Sequence, residues 1–170
     1  MTESIFRFDK LKPFDKWTIA LYLILTLGLV YYFNSTENIA SKRNVIFMYP
    51  FITQLALYGL NYKSLRNLTV FFAWVAIGLL HLYFYFSLKD DKTLQMFRGH
   101  STASLKNTIS LLCLHQAFRL VSIKIQGKEL VSPSKGFNNA TDIYDNRNIT
   151  TTDYVLFFTY IGCAIILAMN

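Results

Sequence analysis

Polar and ionisable side chains set among apolar residues are the places where this sequence can do chemistry. The most pointed group lies in the stretch I-S-L-L-C-L-H-Q-A-F-R-L-V-S-I-K-I at 109–125, where His115 and Arg119 stand four residues apart. On a helix that spacing puts both on one face. Thr108, Ser122 and Gln126 continue the same narrow stripe, while Ile109, Leu111, Leu114, Phe118 and Ile125 cover much of the remaining circumference. A guanidinium in hydrocarbon can hold a lipid phosphate, a carboxylate substrate or a quinone oxygen through paired hydrogen bonds. The competing structural account is snorkelling: Arg119 is five residues from Lys124, roughly 7 Å along a helix axis, and can reach the headgroups. His115 lies deeper, and a neutral imidazole bonded to a neighbour such as Gln54 or Tyr58 would satisfy it without any function.

Two more sets follow helical spacing: Gln54 with Tyr58 and Asn61, and His81 with Tyr85. Intramembrane polar groups are costly, so Arg119, His115, Gln54, Tyr58 and His81 form the candidate intramembrane polar site. His81, next to Tyr83 and near Tyr85, is expected in an aromatic belt at the interface. A metal site from His81, His100 and His115 would need loop folding that the spacing does not suggest. Cys113 and Cys163 both lie in apolar blocks and form no CxxC pair. No catalytic residue, metal or cofactor is assigned.

Several motifs are missing. There is no Gly-rich phosphate loop, no HExxH and no nucleophile elbow. The apolar blocks hold no Asp or Glu, which argues against a proton- or sodium-driven carrier. The run D-I-Y-D-N-R-N at 142–148 offers oxygen ligands without the order of a calcium loop and is expected to be a solvated, Asn-rich segment. The sequons at Asn34, Asn67, Asn139 and Asn148 matter only in a secretory pathway.

Membrane helices must position these groups. Of the 170 residues 53% are apolar and only 16% charged, and the apolar ones cluster in blocks separated by short basic or polar stretches. The net charge of +7 comes from 17 Lys and Arg spread over the connections and not gathered on one face, a distribution that suits anionic headgroups and not nucleic acid. Uncharged blocks are read at about 17–33, 45–61, 69–88 and 154–169, the last extended at its start to a span of about 152–169, with a polar loop at 126–151. The first lacks a small-residue cleavage site and is expected to stay as an anchor. Pro50 falls near the predicted start of the second block, where its missing N–H costs little. A loose match between residues 27–33 and 77–83 is no more than apolar helices share by composition.

The block at 109–125 is ambiguous, since His115, Gln116 and Arg119 interrupt it. If it spans and the N-terminus is inside, the inner segments carry ten basic residues and the outer ones six. If it does not span, an N-inside chain leaves nine basic residues of one long connection outside. The positive-inside rule therefore favours insertion. The expected fold is an all-α polytopic membrane bundle of five transmembrane helices, forming a single membrane domain over 1–170. Four helices plus one interfacial helix is the alternative. A cytoplasmic N-terminus is expected, in a bacterial inner membrane in preference to an organelle membrane.

The leading functional expectation is a small non-catalytic subunit or assembly factor of a larger membrane complex, with membrane lipids and other integral membrane subunits as partners and no nucleic acid. The second is a lipid-handling or small-molecule enzyme or binder built on Arg119, His115 and Gln54. A facilitative channel is a third, only faintly suggested by the polar stripes.

Overall fold

The structure is a computed structural model and describes residues 7–97, 99–131 and 148–169, with the side chains of 168 and 169 left aside. Five α-helices are found among them: α1 (Pro13–Ser35), α2 (Ile39–Gly59), α3 (Leu68–Leu88), α4 (Asn107–Gln126) and α5 (Thr151–Met169). Three helical stretches among the described residues, Pro13–Ser35, Leu68–Leu88 and Ala103–Gln126, are long and apolar enough to cross a membrane. Thr151–Leu167 is a shorter apolar helix. The ambiguous segment at 109–125 is therefore helical and of spanning length and hydropathy.

Local chemistry sets the helix ends. Pro13 opens α1 in its first turn, and Asp15 returns its carboxylate to the Lys12 amide at 3.2 Å. Asn67 caps α3 by accepting from the Thr69 amide at 3.0 Å. Gly127, at φ +65°, closes α4 in the left-handed conformation, with its amide on the Ile123 carbonyl. Thr150 and Asp153 cap α5 reciprocally: the Thr150 amide donates to Asp153 Oδ2 at 2.9 Å, and the Asp153 amide donates to Thr150 Oγ1.

α2 departs from the expectation. It starts at Ile39, not 45, because Asn38 accepts from the Ser41 amide at 3.1 Å and fixes a first turn ahead of Lys42 and Arg43. Pro50 consequently sits well inside the helix, where it removes an interior N–H donor.

The helices alternate in direction. Asn107, at the start of α4, donates to the Leu167 carbonyl near the end of α5 at 2.6 Å. At the opposite end Gln116 on α4 donates to the Leu65 carbonyl in the α2–α3 turn at 2.6 Å. The N-terminal stretch is tied to that same turn by Leu68 N to Arg7 O at 2.8 Å and by two bonds between Asp9 and Asn67. Between α3 and α4 a short antiparallel ribbon, β1 (Gln95–Met96) and β2 (Gly99–His100), caps the other end. Leu94 and Leu105 beside it are fully buried and pack with Ile46 and Tyr49 of α2. Further in, the core gathers Leu57, Leu65, Val70, Trp74, Ile77 and Leu112. α3 and α4 approach closely at Gly78, where a Cβ would lie 2.8 Å from Ile109 Cγ1.

Candidate polar site of the helix bundle

The stripe on α4 faces inward. His115, Arg119 and Ser122 are buried, as is Thr108 one stripe position earlier. It meets polar groups from α1, α2, α3 and the segment after Gly127 in three clusters along the bundle.

The first cluster centres on His81. Its Nε2 is 2.7 Å from the Tyr22 hydroxyl of α1, and its Nδ1 is 2.9 Å from Thr108 Oγ1 of α4. Tyr22 also bonds Thr53 of α2 at 2.7 Å, so four helices share the node. Which nitrogen carries the proton is set by the orientation of those hydroxyls. His81 is fully buried while Tyr83 is exposed. The expectation of an interface belt is corrected here: residues two apart on a helix point to different faces, and His81 shares its face with Trp74, Ile77 and Gly78. Beside the node, Thr26 and Tyr49 join their hydroxyls at 2.6 Å, and the Tyr49 and His81 rings lie 4.7 Å apart.

The second cluster is a small cavity of about 10 Å³ between α2, α4 and α5. His115, Gln54, Tyr58 and Tyr160 line it together with leucines. His115 is 2% exposed, and neither ring nitrogen has a hydrogen-bond partner among the described residues. Tyr58 and Tyr160 stack with centroids 4.4 Å apart. Gln54 reaches the Ser104 carbonyl at 3.0 Å and lies 3.4 Å from Thr108, which joins this cavity to the His81 cluster.

The third cluster closes the other end. Arg119, 1% exposed, makes a bidentate pair with Glu129: Nε to Oε2 and Nη2 to Oε1, both 2.7 Å. Gly127 turns the chain back so that Glu129 comes under the guanidinium. Arg119 thus meets a carboxylate of its own chain. Below it, Gln126 donates to Ser122 and to Asp153 of α5, both at 2.8 Å, and Ser122 donates to the Lys128 carbonyl at 2.9 Å.

Of the five sequence candidates, Gln54, Tyr58 and His115 share one cavity, His81 stands in the neighbouring cluster, and Arg119 is held one turn beyond in its ion pair. The sequence reading missed Tyr22, Thr53, Tyr160 and, above all, Glu129. A search for carboxylates confined to the apolar blocks passes over Glu129, which follows the glycine that ends α4. His100 belongs to the ribbon, with Nδ1 2.7 Å from Thr102 Oγ1 and Nε2 2.9 Å from the Asp91 carbonyl. No group of three His, Cys, Asp or Glu able to hold a metal occurs among the described residues. The run at 142–148 and the sequon at Asn139 fall almost wholly outside the described residues.

Together these features define a helical protein with membrane-length apolar helices and an internal polar seam. No protein-family model, no curated protein and no solved structure matches the chain.

Proposed function

We propose that this chain is a small non-catalytic subunit or assembly factor of a larger integral membrane complex. In this reading it crosses the bilayer five times with its N-terminus on the cytoplasmic side, as the ten-to-six distribution of basic residues favours. A bacterial inner membrane is the preferred setting.

The observation that carries the proposal is a contrast between the seam and α1. The polar seam is occupied with holding its own helices together: both nitrogens of His81 and the Arg119 guanidinium are engaged by side chains of the same chain. α1, by contrast, is nearly bare, with only 6% of its most apolar 18-residue stretch buried. Trp17, Leu21, Ile24 and Tyr31 form an exposed stripe along it, and a Cβ added at Gly28 on that stripe would meet no other helix within 4 Å. Small and aromatic residues on one open face suit packing against another membrane helix.

Gentle detergent extraction followed by native mass measurement tests this. The expected result is a discrete, stoichiometric assembly heavier than the 19.7 kDa chain that dissociates when Gly28 is replaced by Trp. A stable, monodisperse monomer without a co-purifying protein contradicts it.

A second reading, a lipid-handling or small-molecule binder built on Arg119, His115 and Gln54, requires the cavity of about 10 Å³ beside His115 to open. It predicts that Arg119→Ala abolishes activity or lipid co-purification at unchanged abundance. A loss of abundance alone makes Arg119 structural.

A further inference from the structure

We infer that the groove between α1, α2 and α3, at the end of the bundle bearing the α1–α2 turn, binds one acyl chain of an anionic phospholipid whose phosphate sits at Lys42. This inference goes beyond the subunit reading and uses none of the seam residues as ligands.

The groove has a volume of about 260 Å³, and its walls include Leu29 and Phe33 from α1, Ile46 from α2, and Phe84 and Leu88 from α3. Its depth runs from Thr26 to Phe33, about 10 Å at the helical rise, parallel to the helices and therefore to a lipid chain. The polar atoms at its inner end ask for no ligand. Thr26 and Tyr49 bond each other, and the Thr26 hydroxyl also donates to the Tyr22 carbonyl at 2.8 Å. The interior therefore suits hydrocarbon.

What favours a lipid chain over a protein helix is the mouth, where a cation stands beside an apolar slot about 10 Å long, the pairing of phosphate and hydrocarbon that a lipid presents.

The mouth supplies the charge. Asn34 and Ser87 line it, and the Lys42 ammonium lies 4.8 Å over the ring of Phe33, a wall residue. Lys42 makes no ion pair among the described residues. The nearby Asp91 carboxylate is held ionised, below the usual carboxylate range, chiefly by the Thr93 hydroxyl and amide at 2.6 and 2.9 Å and in smaller part by the charges of His100 and Lys42, without a direct ion pair to Lys42. Arg43 donates through Nε to the Thr93 carbonyl at 2.6 Å, and of these two adjacent cations Lys42 is the one placed over a wall of the groove. A cation at a membrane surface favours anionic over zwitterionic headgroups by about five-fold.

The test uses the full chain in mild detergent with equimolar phosphatidylglycerol and phosphatidylcholine of identical acyl chains, read by native mass spectrometry. The expected result is one retained lipid, phosphatidylglycerol over phosphatidylcholine by about five-fold. Val30→Trp, which fills the slot, should remove the adduct, whereas Leu25→Trp, on an exposed face of the same helix, should keep it. Lys42→Gln should retain a lipid but lose the preference. Each variant is first checked for a cooperative thermal transition, and should Val30→Trp fail that check, Lys42→Gln decides. Equal retention by Val30→Trp and the parent chain, an unchanged preference in Lys42→Gln, or an adduct with the mass of a non-phospholipid overturns the inference. All readouts are on the isolated chain, so failure of the subunit reading leaves this result interpretable.

Discussion

His81 and His115 lie on neighbouring helices, 0% and 2% exposed, and the bundle treats them in opposite ways. Around His81, α1 and α4 each deliver a hydroxyl to a ring nitrogen. Around His115, α2, the α2–α3 turn and α4 deliver leucines, and the polar groups of Gln54, Tyr58 and Tyr160 stand across a cavity of about 10 Å³. That is close to the volume of one water. A buried imidazole with both nitrogens bonded stabilises the packing that surrounds it, whereas one without direct partners is a liability in the same environment. The difference teaches that the seam has a rigid section and a slack section, with the Arg119–Glu129 pair sealing the slack one from the interface.

The seal should give the largest effect. Glu129→Ala strands a buried guanidinium and is expected to cost about 3 kcal/mol, the lower end for a buried pair because the Glu129 side chain remains partly exposed. Thermal unfolding in detergent measures it, and a double Arg119→Met, Glu129→Leu variant should regain most of the loss. His81→Leu should cost about 2 kcal/mol, since it removes two hydrogen bonds and leaves Thr108 with only the long contact to Gln54. Gly78→Val should lose at least about 1 kcal/mol by forcing α3 away from Ile109, with partial rescue by Ile109→Ala. His115→Leu is expected to be neutral within about 0.5 kcal/mol, or stabilising, because it removes polar atoms that have no direct partner. Equal costs for His81→Leu and His115→Leu would erase the contrast between the two sections.

Much of the scaffold was legible in the sequence because its signals are local. The starts and ends of α3, α4 and α5 lie within about two residues of the expected ones, where Asn67, Gly127 and Thr150 act as caps. The inward stripe of α4 followed from the spacing of Thr108, His115, Arg119 and Ser122 alone. The start of α2 was missed because basic residues suggested a connection, whereas the Asn38 cap carries the helix through them. Partnerships across the bundle were not legible. Nothing local in Tyr22 or Thr53 announces that they meet His81, and Glu129 finds Arg119 only because a left-handed glycine reverses the chain between them. The side to which each end of the bundle faces rests on charge distribution.

The central claim is that α4 passes through the membrane with its polar stripe sheltered by its neighbours. The direct test replaces Cys113 and Cys163 with Ala, introduces Lys106→Cys or Lys128→Cys at the two ends of α4, and labels intact membranes with an impermeant thiol reagent. Labelling of the two positions from opposite sides is the predicted result. Labelling of both from the same side would contradict the account, since α4 would then lie along the interface with Arg119 and His115 beside the headgroups.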